Sequence, residues 1–449
     1  MRLLVTIIIL HISIFNTAFA QRIIGYYPQW VQANLTPENI DSDVITHVIH
    51  AFAWPDNDGN ILSYDSMLSE TITNKVHEKG GKILLSFGGW GNSWGFPSST
   101  GSIDSRSVFI NNIINTCENY GYDGLDIDWE HPSNNVEKNN LNDFIFELKT
   151  ALNDRHPDWL ISMAIPISNW SGQHYDLEYL SQYIDFFNAM TYDFHGSWSN
   201  HAGHNAPLYP SPSNDPDGSV STGINYLINI RNIPVEKVNL GLAFYGKEYN
   251  SSNINQSFSG EVSTKIYSEY ALLIDNGWDY NWDPLGQVPF LMNTAQDKII
   301  TIEDSLSISL KCQYARQNNL GGMMIWALSY DYLEGNQLLI NSIKTNYLKI
   351  DNKLNPEDYS IEIKNYPNPF NSNTIILFNL NNDSKVDLKI FDITGNLVRH
   401  LVEDRMQTGL KKINWNGANN NGEDVAAGVY LYQLTINETL FSNKMIYLK

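Results

Sequence analysis

The sequence predicts an α/β protein: a (β/α)8 TIM barrel with a small α+β insertion between strands seven and eight, followed by a small immunoglobulin-like β-sandwich. Three observations support this prediction. Eight short apolar runs alternate with longer segments, several of them amphipathic, and one late connection is far longer than a single helix requires. Beyond about residue 360, short alternating segments are separated by turn residues.

The eight apolar runs are rich in Ile, Val, Leu and Phe, as expected for parallel strands that are buried on both faces. They lie at residues 23–26, 44–53, 82–88, 124–130, 160–166, 186–192, 238–244 and 322–327. Amphipathic segments at 105–120 and 140–155 are typical of crossover helices. Residues 21–347 are therefore assigned to the barrel.

The connection between the seventh and eighth runs is unusually long. Residues 247–297 are polar but contain Trp278, Trp282 and Phe290. Structureless loops of this length are uncommon inside compact domains. We expect an inserted subdomain there, followed by a final barrel helix at 304–318.

The first 20 residues are typical of a signal peptide. Arg2 precedes an apolar stretch over 3–15, and Ala18-Phe-Ala20 provides a cleavage pattern that leaves Gln21 first. A membrane anchor is the alternative, but the stretch is short for a spanning helix and includes polar residues. We expect export to a secreted or cell-surface location, and no later segment is apolar enough to span a bilayer.

The net charge limits the partners that the chain could bind, and the cysteine positions indicate the state of its thiols. A formal net charge of −21 argues against nucleic-acid and anionic-membrane partners. The two cysteines, Cys117 and Cys312, lie in segments predicted to be separate helices, so buried free thiols are expected rather than a disulfide.

The C-terminal part has a different pattern. Residues 348–360 are predicted to be a linker, and residues 361–449 a β-sandwich with turn signals between its strands. The strands are predicted at 374–379, 385–392, 411–415, 429–436 and 442–448.

Four acidic residues occur together at the fourth run, in Asp123-Gly-Leu-Asp126-Ile-Asp128-Trp-Glu130. Side chains alternate along a strand, so Asp126, Asp128 and Glu130 should share the interior face, about 6.5–7 Å apart in succession. Asp123 has the opposite parity and is expected to be structural. Glu130 should lie at the C-terminal mouth, where the active sites of TIM barrels form.

Buried carboxylates that repel one another raise at least one pKa, which lets a Glu stay protonated near neutral pH and act as a general acid. A divalent-metal site is the alternative for this run. It is disfavoured because Ca²⁺ loops use glycine and backbone carbonyls in a turn, whereas this run is a hydrophobic strand.

This run resembles the DxxDxDxE signature of glycoside hydrolase family 18, the chitinase family. Four further segments are similar to motifs of that family and follow in the family's order over about residues 22–345. They are Ser86-Phe-Gly-Gly89-Trp90, Met190-Thr-Tyr192-Asp193, Gly241-Leu-Ala-Phe-Tyr245-Gly-Lys247 and Gly322-Met-Met-Ile-Trp326.

The resemblance implies a retaining mechanism in which the substrate's own N-acetyl group is the nucleophile. Glu130 is then the general acid and base, and Asp128 binds the acetamido N–H and shares a proton with Asp126. Tyr192 donates to the acetamido carbonyl, and Asp193 supports the distorted sugar. A chitin or chitooligosaccharide substrate and a monomer are expected, without a metal or organic cofactor.

Other residues are predicted to bind substrate. Trp326 is expected to form the floor under the sugar. The motifs also implicate Met190, Ser86 and Gly89, and the remaining candidates, for which packing is an equal alternative, are Trp90, Trp198, Tyr26 and His131.

A histidine cluster at His195, His201 and His204 could indicate a metal. A similar loop in glycoside hydrolase family 18 makes a metal site at these histidines an unfavoured interpretation.

The C-terminal region, with Tyr366-Pro-Asn-Pro-Phe370, Asp392-Ile-Thr-Gly395 and Gly428-Val-Tyr430, resembles sorting domains of type IX secretion cargo. This resemblance implies passage across a bacterial outer membrane with the type IX machinery as partner. The alternative is an adhesive or spacer module. For the barrel, the alternatives are an endo-β-N-acetylglucosaminidase acting on N-glycans and a non-catalytic chitin lectin.

Overall fold

The computed structural model describes residues 21–274, 276–348, 363–380, 383–392, 396–436 and 439–448. The chain divides into two compact units, Met1–Ile350 and Asp351–Lys449. The predicted signal peptide at 1–20 and all of the predicted linker except Leu348 lie outside the described residues.

The eight predicted strands form a closed parallel barrel, which confirms the predicted fold. Neighbours pair in chain order, and the first strand pairs with both the second and the eighth. The barrel strands are Arg22–Pro28, His47–Pro55, Lys82–Gly88, Gly124–Asp128, Leu160–Ile165, Phe186–Ala189, Val238–Ala243 and Gly322–Trp326. A short strand, Ile61–Ser63, pairs antiparallel with the second barrel strand.

The crossover helices begin where polar side chains cap them. Asn135–Arg155 starts five residues earlier than predicted because the Asn134 side chain accepts hydrogen bonds from two backbone N–H groups of its first turn. The α-helices of the barrel unit are Glu70–Glu78, Phe96–Ser99, Ile103–Tyr120, Asn135–Arg155, Asn169–Gly172, Leu177–Leu180, Val220–Asn225, Tyr267–Tyr270, Ser305–Gln317 and Leu338–Asn346.

The inserted subdomain lies where the sequence predicts it and is slightly wider than 247–297. It is a five-stranded antiparallel sheet that carries the short helix Tyr267–Tyr270. Its strands are Tyr245–Asn250, Ser259–Ile266, Asp279–Asp283, Val288–Asn293 and Lys298–Thr301. The first strand follows the seventh barrel strand after one residue, so the insertion is attached directly at the C-terminal mouth of the barrel.

Side chains of the barrel strands divide between two cores. Leu125 and Ile127 of the fourth strand belong to the large core under the helices. Ile24, Leu84 and Met324 belong to a smaller core inside the barrel. Strand alternation therefore separates an apolar outer layer from an interior that can hold polar groups near its mouth.

The C-terminal unit is a β-sandwich of two antiparallel sheets, as predicted. Its core includes Trp415, Tyr432 and Ile390. The sequence missed Lys364–Tyr366 and Leu397–Met406; the second of these carries charged residues that obscure its alternation. The other strands are Thr374–Leu380, Ser384–Asp392, Gly409–Trp415, Gly428–Ile436 and Thr439–Tyr447. Residues 393–395 of the predicted turn motif lie outside the described part.

Two further expectations concern the whole chain. Cys117 and Cys312 are buried free thiols, as predicted, and burial raises the pKa of both. None of the helices in the described ranges has the length and apolar character needed to cross a bilayer.

Candidate active site

The fourth barrel strand, Gly124–Asp128, brings acidic side chains into the barrel. Asp126 and Asp128 are 0% and 4% exposed, whereas Leu125 and Ile127 between them face the outer core. This arrangement confirms the predicted alternation. Glu130 lies two residues beyond the strand, at the C-terminal mouth, where its backbone N–H donates to Ser93 Oγ over 2.9 Å.

Asp123 lies at the opposite end of the same strand and has a structural role, as its parity predicts. Its Oδ2 accepts a hydrogen bond of 2.8 Å from the backbone N–H of Ile83 and lies 2.8 Å from His77 Nε2. These contacts join the third and fourth strands, far from the mouth.

Asp126 is surrounded by neutral donors. Oδ2 accepts from Ser86 Oγ at 2.7 Å and from Tyr26 OH at 3.0 Å, and Oδ1 accepts from Ser162 Oγ at 2.5 Å and Asn188 Nδ2 at 3.4 Å. Burial raises its pKa, and these hydrogen bonds oppose that rise. Both oxygens already have two protein donors, so the residue is poorly suited to ligating the divalent metal considered as an alternative.

Asp128 has the opposite environment. Its Oδ1 is buried and has no hydrogen-bond partner in the part of the chain that the structure describes. Burial, then the charge of Glu130, then that of Asp126 raise its pKa well above the ordinary value. No hydrogen bond joins Asp126 and Asp128 within the described residues, because Asp126 bonds four other groups. The proton sharing between the two residues that the resemblance implies stays a prediction.

Glu130 has an acid strength suited to proton donation near neutral pH. Burial, followed by the negative charge of Asp193, raises its pKa to about 7. His131 Nε2 lies 3.6 Å from Glu130 Oε2, and burial lowers the His131 pKa to about 4. The neighbouring imidazole is therefore neutral at pH 7 and does not hold Glu130 in its ionised form.

Tyr192 and Asp193 follow the sixth strand. Burial first, then the charge of Asp128, raises the pKa of Tyr192 well above its ordinary value, so its hydroxyl keeps its proton. Asp193 has a φ of 56° and is held by an ion pair of 2.7 Å with Lys247 Nζ. The insertion strand that carries Lys247 thus positions a residue of the barrel mouth.

A cavity of about 450 Å³ opens above these carboxyl groups. Trp326 lies in it and stacks on Phe52 with ring centroids 5.8 Å apart and an interplanar angle of 22°. Eight predicted site residues line the cavity: Tyr26, Trp90, Asp128, Glu130, Met190, Tyr192, Asp193 and Trp326.

Several predicted substrate contacts lie elsewhere. Ser86 is fully buried beneath the cavity as a donor to Asp126. Gly89 is buried with a φ of 88°, and its N–H donates to Asp128 O over 2.8 Å, so it shapes the strand end instead of lining the cavity. His131 lines a neighbouring cavity of about 230 Å³ with Trp170. Trp198 is 63% exposed and lines neither cavity.

Sequence reasoning missed other lining residues. The barrel contributes Trp30, Phe52, Tyr64, Asn92, Ala164 and Tyr330, and the insertion contributes Tyr245, Lys247 and Thr264. Phe52 lies near the C-terminal end of the second strand, so applying the strand-end rule to every barrel strand could have found it. The insertion residues show that this subdomain forms part of the cavity wall.

A TIM barrel whose C-terminal mouth holds two interacting buried carboxyl groups beside an aromatic cleft is an arrangement typical of a glycoside hydrolase. Residues 22–331 match the family described as "Glycosyl hydrolases family 18". The chain belongs to that family. Residues 370–439 match a "FlgD Ig-like domain", consistent with the sandwich.

The similarity to individual relatives is consistent with membership of glycosyl hydrolase family 18. A "Probable endochitinase" of Caenorhabditis elegans is 31% identical over 349 residues, covering 68% of this chain and 55% of the relative. "Probable chitinase 2" of Drosophila melanogaster is 29% identical, with 70% and 72% covered. The chain thus spans about half the length of the nematode protein.

Among solved structures, a Group II chitinase catalytic domain of Ostrinia furnacalis, in a mutant complexed with (NAG)5, is 27% identical. The TM-score is 0.68, covering 74% of this chain and 97% of that one.

Proposed function

We propose that the barrel is a chitinase that hydrolyses β-1,4-linked N-acetylglucosamine polymers with retention, using the substrate's acetamido group as nucleophile. The observation that carries this proposal is the contrast between Asp128 and its neighbours. Asp128 lines the cleft together with Glu130, Tyr192 and Trp326, and its buried Oδ1 has no donor among the described residues. A ligand N–H is the group that this oxygen lacks.

In the first step, the protonated carboxyl of Glu130 gives its proton to the glycosidic oxygen as the bond from that oxygen to C1 breaks. The acetamido carbonyl oxygen forms the new bond to C1 and produces a cyclic oxazolinium cation. Asp128 accepts the acetamido N–H and stabilises the positive charge, while Tyr192 OH donates to the carbonyl oxygen. Holding the nucleophile within the substrate supplies a large effective molarity.

In the second step, Glu130 is a carboxylate and removes a proton from water as the water attacks C1. The ring opens, the acetamide is regenerated and Glu130 is protonated again. Two displacements at C1 retain the anomeric configuration. A Glu130 pKa of about 7 suits both steps, because neither protonation state is strongly disfavoured near neutral pH.

The decisive experiment is a time course of product formation from chitohexaose with anomers resolved, alongside a hexamer without acetyl groups. We expect β-anomeric products from the first and no cleavage of the second, because the second lacks the nucleophile. Glu130→Gln should abolish turnover but retain chitooligosaccharide binding, whereas Glu261→Gln, an exposed control, should behave as the wild type.

Other results would change the assignment. Release of N-glycans from a glycoprotein without cleavage of chitotetraose would indicate an endo-β-N-acetylglucosaminidase. Binding without any turnover by the wild type would indicate a lectin. Inverted products, or near-wild-type hydrolysis by Glu130→Gln, would contradict the mechanism.

We further propose that the chain is exported by residues 1–20 and that the C-terminal sandwich is a type IX sorting domain. The signal-like composition and the immunoglobulin-like match support this. Deleting residues 361–449 in the native host should leave the enzyme in the periplasm, and unchanged extracellular activity would contradict the proposal. Sedimentation of the purified chain tests the expected monomer.

A further inference from the structure

The loop that follows the sixth barrel strand brings together residues that the mechanism does not use. His195, His201 and Asp215 each present one ligand atom, all within 4.8 Å of one another. Asp217 lies beside this group, with its Oδ2 3.5 Å from His195 Nε2. His204, the third histidine noted in the sequence, lies outside this group because its Nε2 faces Asp283 at 3.0 Å.

The hydrogen bonds of His195 define which of its ring nitrogens has a lone pair available to bind a metal. Its Nδ1 lies 2.8 Å from the backbone carbonyl of His204, which can only accept, so Nδ1 carries a hydrogen. In the neutral ring, Nε2 then directs a lone pair at Asp215 Oδ2, 3.0 Å away. Two acceptors face each other across this contact, and a proton or a metal cation must lie between them. A second-shell bond to a backbone carbonyl is typical of metal-binding histidines.

His201 favours the metal over a proton. Its Nε2 lies 3.3 Å from the same Asp215 Oδ2, yet this buried nitrogen makes no hydrogen bond to any described residue. The other oxygen of Asp215 is already occupied, because Oδ1 accepts the Asp217 N–H at 3.0 Å. One carboxylate oxygen thus faces two imidazole nitrogens, and a single proton on His195 would leave His201 unsatisfied.

Three distances between candidate ligand atoms are close to those of a tetrahedral zinc site. Zinc bonds of about 2.0–2.2 Å to nitrogen and oxygen place neighbouring ligand atoms roughly 3.3–3.5 Å apart. The three N···O distances here are 3.0, 3.3 and 3.5 Å. Two neutral imidazoles and two carboxylates also balance the charge of a divalent cation. Mixed nitrogen and oxygen donors favour Zn²⁺ over Ca²⁺.

We propose that His195, His201, Asp215 and Asp217 form a structural Zn²⁺ site. The cation would link residues 195–201 to 215–217 and so close the loop on itself. The loop begins beside Asp193, whose N–H donates to Asn205 Oδ1 at 3.3 Å. The site therefore stabilises one rim of the cleft without touching the substrate.

The test uses the full chain after treatment with EDTA and dialysis, titrated with ZnCl2 in a calorimeter and monitored by thermal unfolding. One equivalent of Zn²⁺ should bind and raise the Tm of the barrel by about 3–8 °C at saturation. Co²⁺ should bind with the intense visible absorption of a tetrahedral complex. CaCl2 should leave the Tm unchanged.

Matched variants separate this site from adventitious binding. His201→Gln and Asp217→Asn should each weaken Zn²⁺ binding at least about tenfold, while His156→Gln, a histidine on a distant helix end, should bind like the wild type. Absence of a Tm shift at millimolar ZnCl2, an equal shift with CaCl2, or unchanged binding by His201→Gln would each overturn the proposal.

Discussion

Replacing Glu130 by Gln should stabilise the barrel above neutral pH while it removes the proposed acid. Glu130 has a pKa of about 7 in the folded chain, against an ordinary value of 4.5. Between these values the folded state binds more protons than the unfolded state, so the wild type loses stability as the pH rises. The full difference corresponds to about 3 kcal/mol.

The amide of Gln cannot ionise, so the Glu130→Gln variant does not lose this folding stability as the pH rises. The stability difference between Glu130→Gln and the wild type should be near zero at about pH 4 and reach about 3 kcal/mol at about pH 8. Loss of the Glu130 charge also lowers the Asp128 pKa, because that charge is among its causes, and this adds in the same direction.

Urea denaturation followed by tryptophan fluorescence measures this difference, since all of the 12 tryptophans except Trp415 lie in the barrel unit. Glu261→Gln controls for the loss of an exposed charge. A stability gain that does not vary with pH, or a Glu130→Gln variant less stable than the wild type at pH 8, would refute the reasoning.

Three more outcomes are expected, two at the candidate active site and one at a buried ion pair of the barrel unit, Lys311 with Glu303. The kcat/KM for chitohexaose should fall about tenfold per pH unit above about pH 7 as Glu130 ionises, and a pH profile with no break near neutrality would contradict this. Tyr192→Phe should lower kcat about 10²–10³-fold with a small change in KM, measured by steady-state kinetics. Lys311→Met should destabilise the barrel by about 3–5 kcal/mol in thermal unfolding, because its buried partner Glu303 loses its cation, and adding Glu303→Gln should recover much of the loss.

The parts of the structure predicted from sequence rest on local periodicity. Alternation along the fourth strand placed Asp126 and Asp128 inside the barrel and Asp123 at its far end, because neighbouring residues of a strand always face opposite sides. The C-terminal ends of the predicted strands also located the mouth of the barrel. Helix starts were less well predicted, since the cap at Asn134 precedes a polar first turn without an apolar pattern.

The features that the sequence did not predict depend on contacts between segments that are distant along the chain. Lys247 contacts Asp193 because the insertion lies at the barrel mouth. The two residues are far apart in the sequence, and no local pattern predicts this contact. Asp215 approaches His195 within one irregular loop, so the histidine spacing alone does not indicate this contact. Ser86 was taken for a substrate contact because its motif is close to the site, yet its side chain points to Asp126.

The hydrogen bonding of the acidic side chains changes along the fourth strand, and this change explains how the strand tolerates two buried acids. Asp126 has four neutral donors, so an ionised form there is compensated by hydrogen bonds. Asp128, one pleat nearer the mouth, has a buried oxygen with none. The uncompensated electrostatic cost is thus concentrated at Asp128, where the proposed mechanism has the acetamide N–H of the substrate remove part of it and the developing cation remove more. In the proposed mechanism this relief is greater in the transition state than in the bound substrate, so the buried oxygen of Asp128 would accelerate the reaction instead of only tightening binding.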